Sequence, residues 1–166
     1  MNLVLCGMMG CGKTTVGGIL ATLLNRRFVD TDEEIVKAHG AISELFERFG
    51  EPYFRALETE TVRSLDCDGL VIATGGGVVL KEENRRLLQE HGKIFYLHTS
   101  CENLIRRVEG DHSRPLLRGG DVERKVRELT KQRDSVYRAA ADYIIETDGK
   151  TAEEVAKAIV AVWEKV

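Results

Sequence analysis

Residues 7–14, which read GMMGCGKT, decide how the rest of this sequence is interpreted. A glycine, four further residues and then Gly-Lys-Thr form the pattern of a phosphate-binding loop. The apolar residues 3–6 before it predict a strand, and residues 15–24 after it have the spacing of a helix. The glycines allow a tight turn in which successive N–H groups point at one phosphate, and the helix start adds a partial positive charge. This context favours phosphate binding over a plain glycine-rich turn.

Two side chains of the loop carry its chemistry. Lys13 can reach the outer phosphates of a nucleotide as a point charge, and the Thr14 hydroxyl can ligate Mg²⁺. We therefore predict that the loop binds a nucleoside triphosphate together with Mg²⁺. The residues predicted to contact the nucleotide here are Gly10, Cys11, Gly12, Lys13, Thr14 and Thr15.

Length and composition restrict the class of protein. The chain has 166 residues, enough for a single domain, 1–166, with a real core. Acidic and basic residues are mixed and the net charge is −3, which argues against nucleic acid as a partner. No apolar run approaches the ~20 residues of a membrane span. The four cysteines lack metal-ligand spacing and are interpreted as small, reduced, buried residues, so we expect a cytoplasmic monomer without membrane contact.

A second strand should begin at Phe28 and end within residues 30–32, DTD. Because a helix connects strands one and two, the strands are parallel and their carboxyl ends lie at one edge of the sheet. This places Asp30 and Asp32 near the phosphate loop. Residues two apart on an extended strand point to one side, so both carboxylates are expected to face one site. The alternative is a helix N-cap at Thr31 or Asp32.

The spacing of residues 33–66 predicts three short helices between strands two and three. This is more chain than a simple crossover needs, and such an insertion is a common place for a substrate pocket. The side chains expected on the inward faces of these helices are Leu45, Phe46, Phe49, Phe54, Leu57, Thr61 and Val62.

Residues 70–73, LVIA, predict a buried third strand that ends at residues 74–77, TGGG. Three successive glycines cost chain entropy, so the close approach of a ligand is one reason for them, and a permissive turn is the alternative. Strands four and five are predicted at 94–97 and 143–145, and an amphipathic helix at 151–165. The side chains of that helix expected to face the core are Val155, Ile159, Val162, Trp163 and Val166.

This order of elements predicts an α/β protein, a three-layer α/β/α sandwich with a five-stranded parallel sheet. The polar, glycine-flanked residues 109–121 interrupt the periodic pattern and predict a mobile lid. Arg114 is the charge that this lid can deliver to a phosphate, and an exposed loop arginine is the alternative.

Phosphoryl transfer requires positive charge on the phosphates, a metal ion and an acceptor held in line. Asp30 is a candidate partner for the metal beside Thr14. Asp32 is the candidate to orient an acceptor hydroxyl and to take its proton. The Asn-Lys-x-Asp segment that recognises the base in Ras-type GTPases is absent from the sequence. The sequence therefore predicts a small ATP-dependent kinase with a small acceptor.

Several segments stand out as a set. They are GCGKTT at 10–15, FVDTD at 28–32, Phe54-Arg55 with Glu58, TGGG at 74–77, RPLL at 114–117, and Gln132-Arg133 with Tyr137. In this order, and over nearly the whole chain, they resemble the shikimate kinase family. The resemblance implies a P-loop kinase fold and transfer of a phosphoryl group from ATP to the 3-hydroxyl of shikimate, in the pathway to chorismate and aromatic amino acids.

The resemblance also implies roles for individual residues. Arg55 and Arg133 match arginines that bind the substrate carboxylate, where a planar guanidinium suits two oxygens. Asp32 matches the residue on the ring hydroxyls, and Gly76 and Gly77 offer backbone N–H groups to the same ring. The remaining matches are Asp30 at the metal, Arg114 in the lid, Arg107 on adenine, Glu58 beside Arg55, and Phe46, Phe54, Pro115 and Leu116 around the ring.

The sequence departs from the family pattern at two places. Met8-Met9 replaces the varied residues inside the loop, and TDGK at 147–150 replaces the Arg-Arg-x-Pro version that some members use beside adenine. Two other functions stay open: a kinase for another small hydroxy acid such as gluconate, and a non-catalytic nucleotide-binding regulator.

Overall fold

In the computed structural model, which describes residues 1–109 and 114–166, five strands form one parallel sheet in the order β2-β3-β1-β4-β5. The strands are β1 (Asn2–Cys6), β2 (Arg27–Asp30), β3 (Leu70–Ala73), β4 (Gly92–His98) and β5 (Tyr143–Glu146). Every neighbouring pair in this sheet is parallel, with Val4 level with Ile72 on one side and Ile94 on the other. The predicted five-stranded parallel sheet is confirmed.

Eight α-helices lie within the same described residues. They are α1 (Lys13–Leu23), α2 (Thr31–His39), α3 (Ile42–Phe49), α4 (Glu51–Ser64), α5 (Glu82–His91), α6 (Cys101–Val108), α7 (Val122–Ala140) and α8 (Ala152–Trp163). Helix α1 packs on α8, whereas α5 and α7 pack on β4. Right-handed crossovers that leave the centre of a sheet in opposite directions place their helices on opposite faces. The result is the three-layer sandwich predicted from the sequence.

The central strand β1 ties the two glycine-rich segments together. Leu3 and Leu5 are fully buried because helices cover both faces of the sheet. The Leu5 carbonyl accepts hydrogen bonds from the Thr74 N–H (3.0 Å) and the Thr74 hydroxyl (3.1 Å). Residues 74–77 therefore begin directly beside the loop that leaves β1.

The junction of β2 and α2 differs from the prediction. The strand ends at Asp30, whose side chain caps α2 by accepting the N–H groups of Asp32 (3.0 Å) and Glu33 (3.3 Å). Asp32 thus lies in the first helical turn and not on a strand face shared with Asp30, so the reason given for their proximity is wrong, although both side chains line one cavity. The cap is also one or two residues earlier than expected. Thr31 is fully buried, and its hydroxyl accepts the N–H of Gly75 (2.9 Å).

The insertion formed by α2, α3 and α4 has a small core of its own. Ile35, Leu45, Phe54 and Leu57 are buried together, and Ile42 and Phe46 pack against them. The predicted inward position of Phe49 is wrong, because its side chain is 52% exposed. Thr61 is only half-buried. Two polar side chains of α4 are also buried: Glu58, which the resemblance places beside Arg55, and Thr59, which was not expected inside.

The end of the chain follows the prediction in part. Thr151 caps α8 in a reciprocal capping box with Glu154, and Val155 and Ile159 are buried. Trp163 and Val162 are half-buried against the core, but Val166 lies beyond the helix and is 47% exposed. Its expected core position is therefore wrong.

The four cysteines are free thiols. Cys6 and Cys11 are buried as expected, Cys101 is half-buried, and Cys67 is exposed, which the sequence did not predict. Among the described helices, none combines the length and the apolar character needed to cross a lipid bilayer.

Candidate active site

The phosphate loop, residues 7–14, connects β1 to α1. Gly7, Gly10 and Gly12 have φ values of 144°, 78° and 99°, which residues with a side chain rarely adopt. A Cβ at Gly10 would also lie 2.7 Å from Val108 Cγ1 on α6. Within the described residues, no side chain caps α1 and its first turn contains no acid. The first N–H groups of α1 are therefore free to bind an anion.

Lys13 lies folded back over the loop. Its Nζ donates to the Gly7 carbonyl (2.8 Å) and the Met8 carbonyl (2.9 Å), and lies 3.5 Å from Cys11 Sγ. The side chain is buried, so the charge is confined to the phosphate-binding turn. Ionised phosphate oxygens are stronger acceptors than neutral carbonyls, so a nucleotide can replace these partners.

Thr14 and Asp30 meet at the carboxyl edge of the sheet. The Thr14 hydroxyl donates to Asp30 Oδ2 at 2.7 Å, while Asp30 Oδ1 caps α2. A hydroxyl and a carboxylate oxygen are the hard donors that Mg²⁺ prefers, and Mg²⁺ usually keeps several waters and phosphate oxygens as its other ligands. Within the described residues, no cluster of three His, Cys, Asp or Glu side chains could enclose a metal. The donor set thus fits a magnesium ion that arrives with a nucleotide.

Asp32 combines burial with an unsatisfied oxygen. Its Oδ1 is buried and has no hydrogen-bond partner among the described residues. Burial raises the pKa of the Asp32 carboxyl, the Asp30 charge raises it further, and Lys13 and Arg114 partly oppose the rise. A buried, unpaired oxygen with a raised pKa is suited to accept a hydrogen bond or a proton from a ligand.

The glycines at 75–77 make room for charged side chains. A Cβ at Gly75 would lie 2.5 Å from Asp32 Oδ1 and 3.1 Å from Glu58 Oε1. A Cβ at Gly77 would lie 2.0 Å from Arg55 Nη1. At Gly75 and Gly77, therefore, the groups that lie close to the glycine backbone are side chains of the same chain and not a ligand. Larger residues there would displace the charged groups.

Arg55 is fixed by two carboxylates on its own helix. Nη1 lies 2.8 Å from Glu58 Oε2 and Nη2 lies 3.0 Å from Glu51 Oε1. Glu58 is 1% exposed, and burial raises the pKa of its carboxyl, while the Arg55 charge lowers it and the Asp32 charge raises it. The ion pair expected between Arg55 and Glu58 is therefore present.

Helix α7 brings Arg133 and Tyr137, one turn apart, to the same site. Both side chains are buried, and burial raises the pKa of the Tyr137 phenol while the nearby Arg133 charge partly opposes the rise. The Tyr137 hydroxyl donates to the Gly76 carbonyl at 2.6 Å. Sequence reasoning recognised this tyrosine only as part of a motif. Its partner is 61 residues away in the chain, so only the fold reveals the contact.

A cavity of about 210 Å³, the acceptor cavity, lies beside the phosphate loop. Its charged lining is Asp32, Arg55, Glu58, Arg114 and Arg133, and its apolar walls include the predicted Phe46, Phe54, Pro115 and Leu116, together with Met9 and Ile42. A larger cavity of about 940 Å³, the nucleotide cavity, contains the phosphate loop. The two cavities share Met9, Asp32, Gly76 and Arg114 in their linings, so a donor and an acceptor can meet there.

The nucleotide cavity is also lined by Thr15, Arg107 and Lys150. Arg107, predicted to stack on adenine, donates from Nη1 to the Gly10 carbonyl at 3.1 Å. The 147–150 loop is tied to the start of α6 because Asp148 Oδ1 accepts the Ser100 N–H (3.1 Å) and the Asn103 amide (2.8 Å).

Residues 110–113 of the predicted lid, 109–121, lie outside the described residues. Arg114 lines both cavities. Leu117 is buried in the main core, and Arg118 pairs with Glu47 of α3 at 2.8 Å. The C-terminal part of the lid is therefore anchored next to the acceptor cavity, and movement of the lid stays a prediction.

The fold and the site together define a P-loop phosphotransferase with a small acceptor. The chain belongs to the shikimate kinase family, whose family model matches residues 9–164. A shikimate kinase from Chromohalobacter salexigens is 45% identical over 161 residues, which cover 96% of this chain and 89% of that protein.

Solved structures agree with this assignment. The shikimate kinase from Acinetobacter baumannii in complex with shikimate matches with a TM-score of 0.96 and 42% identity, covering 99% of this chain and 93% of that one. A gluconokinase from Sinorhizobium meliloti, with a TM-score of 0.61 and 13% identity over 96% of this chain and 89% of that one, shares the fold alone. The resemblance stated from the sequence is confirmed.

Proposed function

We propose that this chain transfers the γ-phosphoryl group of ATP to the 3-hydroxyl of shikimate, using Lys13, Asp32 and Arg114 as catalytic residues. The observation that carries the proposal is the shared wall of the two cavities, where Asp32 and Arg114 line both. An acceptor on one side of this wall and a nucleotide on the other would meet at these two side chains.

The acceptor cavity suits a ring that bears one carboxylate and several hydroxyls. Arg55 and Arg133 supply two guanidinium groups, each able to bind a carboxylate with two parallel hydrogen bonds. Gly76 and Gly77 bring backbone close to the same space, and aromatic walls cover the faces of a ring. In this proposal the arginines fix the acid at one end and leave a hydroxyl directed at Asp32.

Asp32 then orients the attacking hydroxyl and takes its proton. Its raised pKa makes the ionised carboxylate a better base, and its unpaired Oδ1 offers an acceptor for the hydroxyl hydrogen. The transition state of phosphoryl transfer is loose, so orientation contributes more than base strength. Lys13 and Arg114 stabilise the negative charge on the transferred group.

Thr14 and Asp30 would hold Mg²⁺ when the nucleotide binds, and the ion supplies positive charge to the phosphates. Water must be kept out of the closed site, because it would compete with shikimate for the phosphoryl group. Pro115 and Leu116 already lie against the acceptor cavity, so this part of the lid supplies an apolar cover.

We also propose that the protein acts as a monomer in the cytoplasm. Its free thiols, one of them exposed, suit a reducing compartment. The nucleotide cavity and the acceptor cavity are both lined by residues of this chain, which is consistent with a monomer.

The purified full chain tests the proposal in an assay of ADP release with ATP and Mg²⁺. We expect turnover that depends on shikimate, no turnover above background with gluconate, and loss of turnover when EDTA removes the metal. Phosphorus NMR of the product should show one phosphomonoester at the 3-position. Equal rates with gluconate would favour the wider hydroxy-acid kinase, and tight nucleotide binding without turnover would favour the regulator.

A further inference from the structure

The hydroxyl of Tyr137 lies where three parts of the site meet. It donates to the Gly76 carbonyl (2.6 Å) in the triple-glycine segment and lies 3.8 Å from Met8 Sδ in the phosphate loop. The third part is α7 itself, on which Tyr137 follows Arg133 by one turn. The side chain is fully buried, so these contacts exclude solvent.

The peptide that joins Gly76 to Gly77 needs such a contact. Glycine has the widest choice of backbone conformations, and no side chain on either residue can restrain the peptide. In a planar trans peptide the carbonyl of Gly76 and the N–H of Gly77 point in opposite directions. A hydrogen bond that fixes the carbonyl towards Tyr137 therefore fixes the N–H away from it. Both glycines line the acceptor cavity.

The Arg133 guanidinium packs against the same peptide. Gly76 and Arg133 both line the acceptor cavity. A Cβ at Gly76 would lie 3.4 Å from Arg133 Nη1, which shows how closely this peptide and the guanidinium already pack.

We propose that Tyr137 is a positioning residue for shikimate, whose hydroxyl aligns the Gly76–Gly77 peptide in the acceptor cavity, next to the Arg133 guanidinium. The inference rests on the proposed function, because it takes shikimate as the acceptor. Burial raises the pKa of the Tyr137 phenol, so the hydroxyl keeps its hydrogen and acts as a donor throughout the neutral range.

Tyr96 provides a matched control. Its ring lies next to that of Tyr137, with centroids 5.1 Å apart, and its side chain is also buried. Its hydroxyl donates to Asp134 Oδ1 (2.8 Å) instead of to the glycine segment. Tyr96→Phe therefore removes the same atom from the same aromatic pair without touching the acceptor cavity.

The test measures kcat and both KM values for wild type, Tyr137→Phe and Tyr96→Phe. Loss of a hydrogen bond that leaves a buried carbonyl unpaired predicts a rise of about fivefold to twentyfold in the KM for shikimate with Tyr137→Phe. The KM of Tyr137→Phe for ATP should change less than about twofold. In Tyr96→Phe, the KM for shikimate and the KM for ATP should each change less than about twofold. If the active Tyr137→Phe enzyme shows an equal rise in both KM values, or no rise, the positioning role of Tyr137 is overturned and the proposed function is not.

Calorimetric titration with shikimate separates the inference from the proposed function. If wild type binds shikimate without turning it over, the proposed reaction is wrong, and a weaker affinity of Tyr137→Phe still supports the positioning role. If wild type does not bind shikimate at all, both are overturned.

A second substitution keeps the ring in place should the phenylalanine variant not fold. Replacement of Tyr137 by 4-aminophenylalanine keeps the ring and an N–H donor at the same place, whereas 4-methylphenylalanine has nearly the same size and no donor. We expect the KM for shikimate to stay within about twofold of wild type with the amino group and to rise about fivefold to twentyfold with the methyl group. Equal KM values for shikimate in these two proteins would contradict the role of the hydroxyl.

Discussion

The phosphate loop and the acceptor cavity are built in opposite ways. The loop is one contiguous segment, and the groups that it offers to a ligand are backbone N–H groups, the start of α1 and Lys13. The acceptor cavity is assembled from side chains on α2, α3, α4 and α7, from residues 114–116 and from the glycine segment after β3. The first is therefore specified locally, whereas the second forms only when elements distant in sequence have packed together.

Their electrostatics differ as well. In the loop, a cation is held by neutral carbonyls that a phosphate can replace. In the acceptor cavity, positive and negative side chains are buried close together. Arg55 pairs with the buried Glu58, and burial raises the pKa of the Glu58 and Asp32 carboxyls. Buried charges that depend on one another are costly to remove singly. Substitutions should therefore affect catalysis at the loop, and both affinity and stability at the cavity.

The largest effect is expected at the loop. Lys13→Ala removes the ammonium group that is proposed to stabilise the phosphates. We expect kcat to fall by at least about a thousandfold, as when a central electrostatic group is lost from a transition state. Lys157→Ala, at an exposed position of α8, is the matched control and should retain full activity. The measurement is steady-state turnover with saturating ATP and shikimate. Near-normal kcat in Lys13→Ala would remove the lysine from the mechanism.

The second largest effect is expected in the acceptor cavity and should change the KM for shikimate much more than the KM for ATP. Arg133→Ala removes a buried guanidinium, and a lost charged hydrogen-bond pair predicts a rise of about thirtyfold to a hundredfold in the KM for shikimate. The KM for ATP should rise less than about threefold. Arg127→Ala on the same helix is the control, because Arg127 pairs with Glu123 and Glu102 on the exposed surface. Equal increases in both KM values would show that Arg133 does not bind the acceptor.

The comparison also explains what the sequence could predict. The loop, the sheet and the edge where the strands end follow from local patterns and from the rules of parallel sheets, so Lys13, Thr14 and Asp30 were found from spacing. Asp32 was found for a reason that proved wrong, because the backbone turns into α2 one residue before it.

Other features depend on contacts distant in sequence. The Tyr137–Gly76 hydrogen bond joins α7 to the segment after β3, and no local pattern indicates it. Phe49 fits the apolar face of a helix, yet it is exposed because α3 ends there and packs through Leu45. The roles of Arg55 and Arg133 came from family resemblance, since arginines on helices are usually solvated.

The smallest effect is one of stability, and it separates two neighbouring carboxylates. Both oxygens of Asp30 are used, by the α2 cap and by Thr14, so Asp30→Ala should lower Tm by about 2–6 °C through the loss of the cap. In the part of the chain that the structure describes, Asp32 Oδ1 has no hydrogen-bond partner, so an uncharged amide of the same shape should reduce the cost of burying this group. At pH 8 we expect Asp32→Asn to raise Tm by about 2–4 °C, which corresponds to about 1 kcal/mol in a chain of this length.

The pH dependence of that gain follows from the direction of the pKa shift. Because the pKa of Asp32 is higher in the folded than in the unfolded chain, the ionised carboxylate destabilises the fold above this raised pKa. The penalty shrinks as pH falls and disappears below the ordinary pKa of an aspartate, about 3.9, where both states carry the proton. The Tm advantage of Asp32→Asn should therefore be full at pH 8 and close to zero near pH 3.5, as measured by differential scanning calorimetry. If the Tm difference between Asp32→Asn and wild type is constant across this range, or grows as pH falls, the Asp32 charge does not destabilise the fold. The acceptor cavity would then resemble the loop, where a charge is held without a loss of stability.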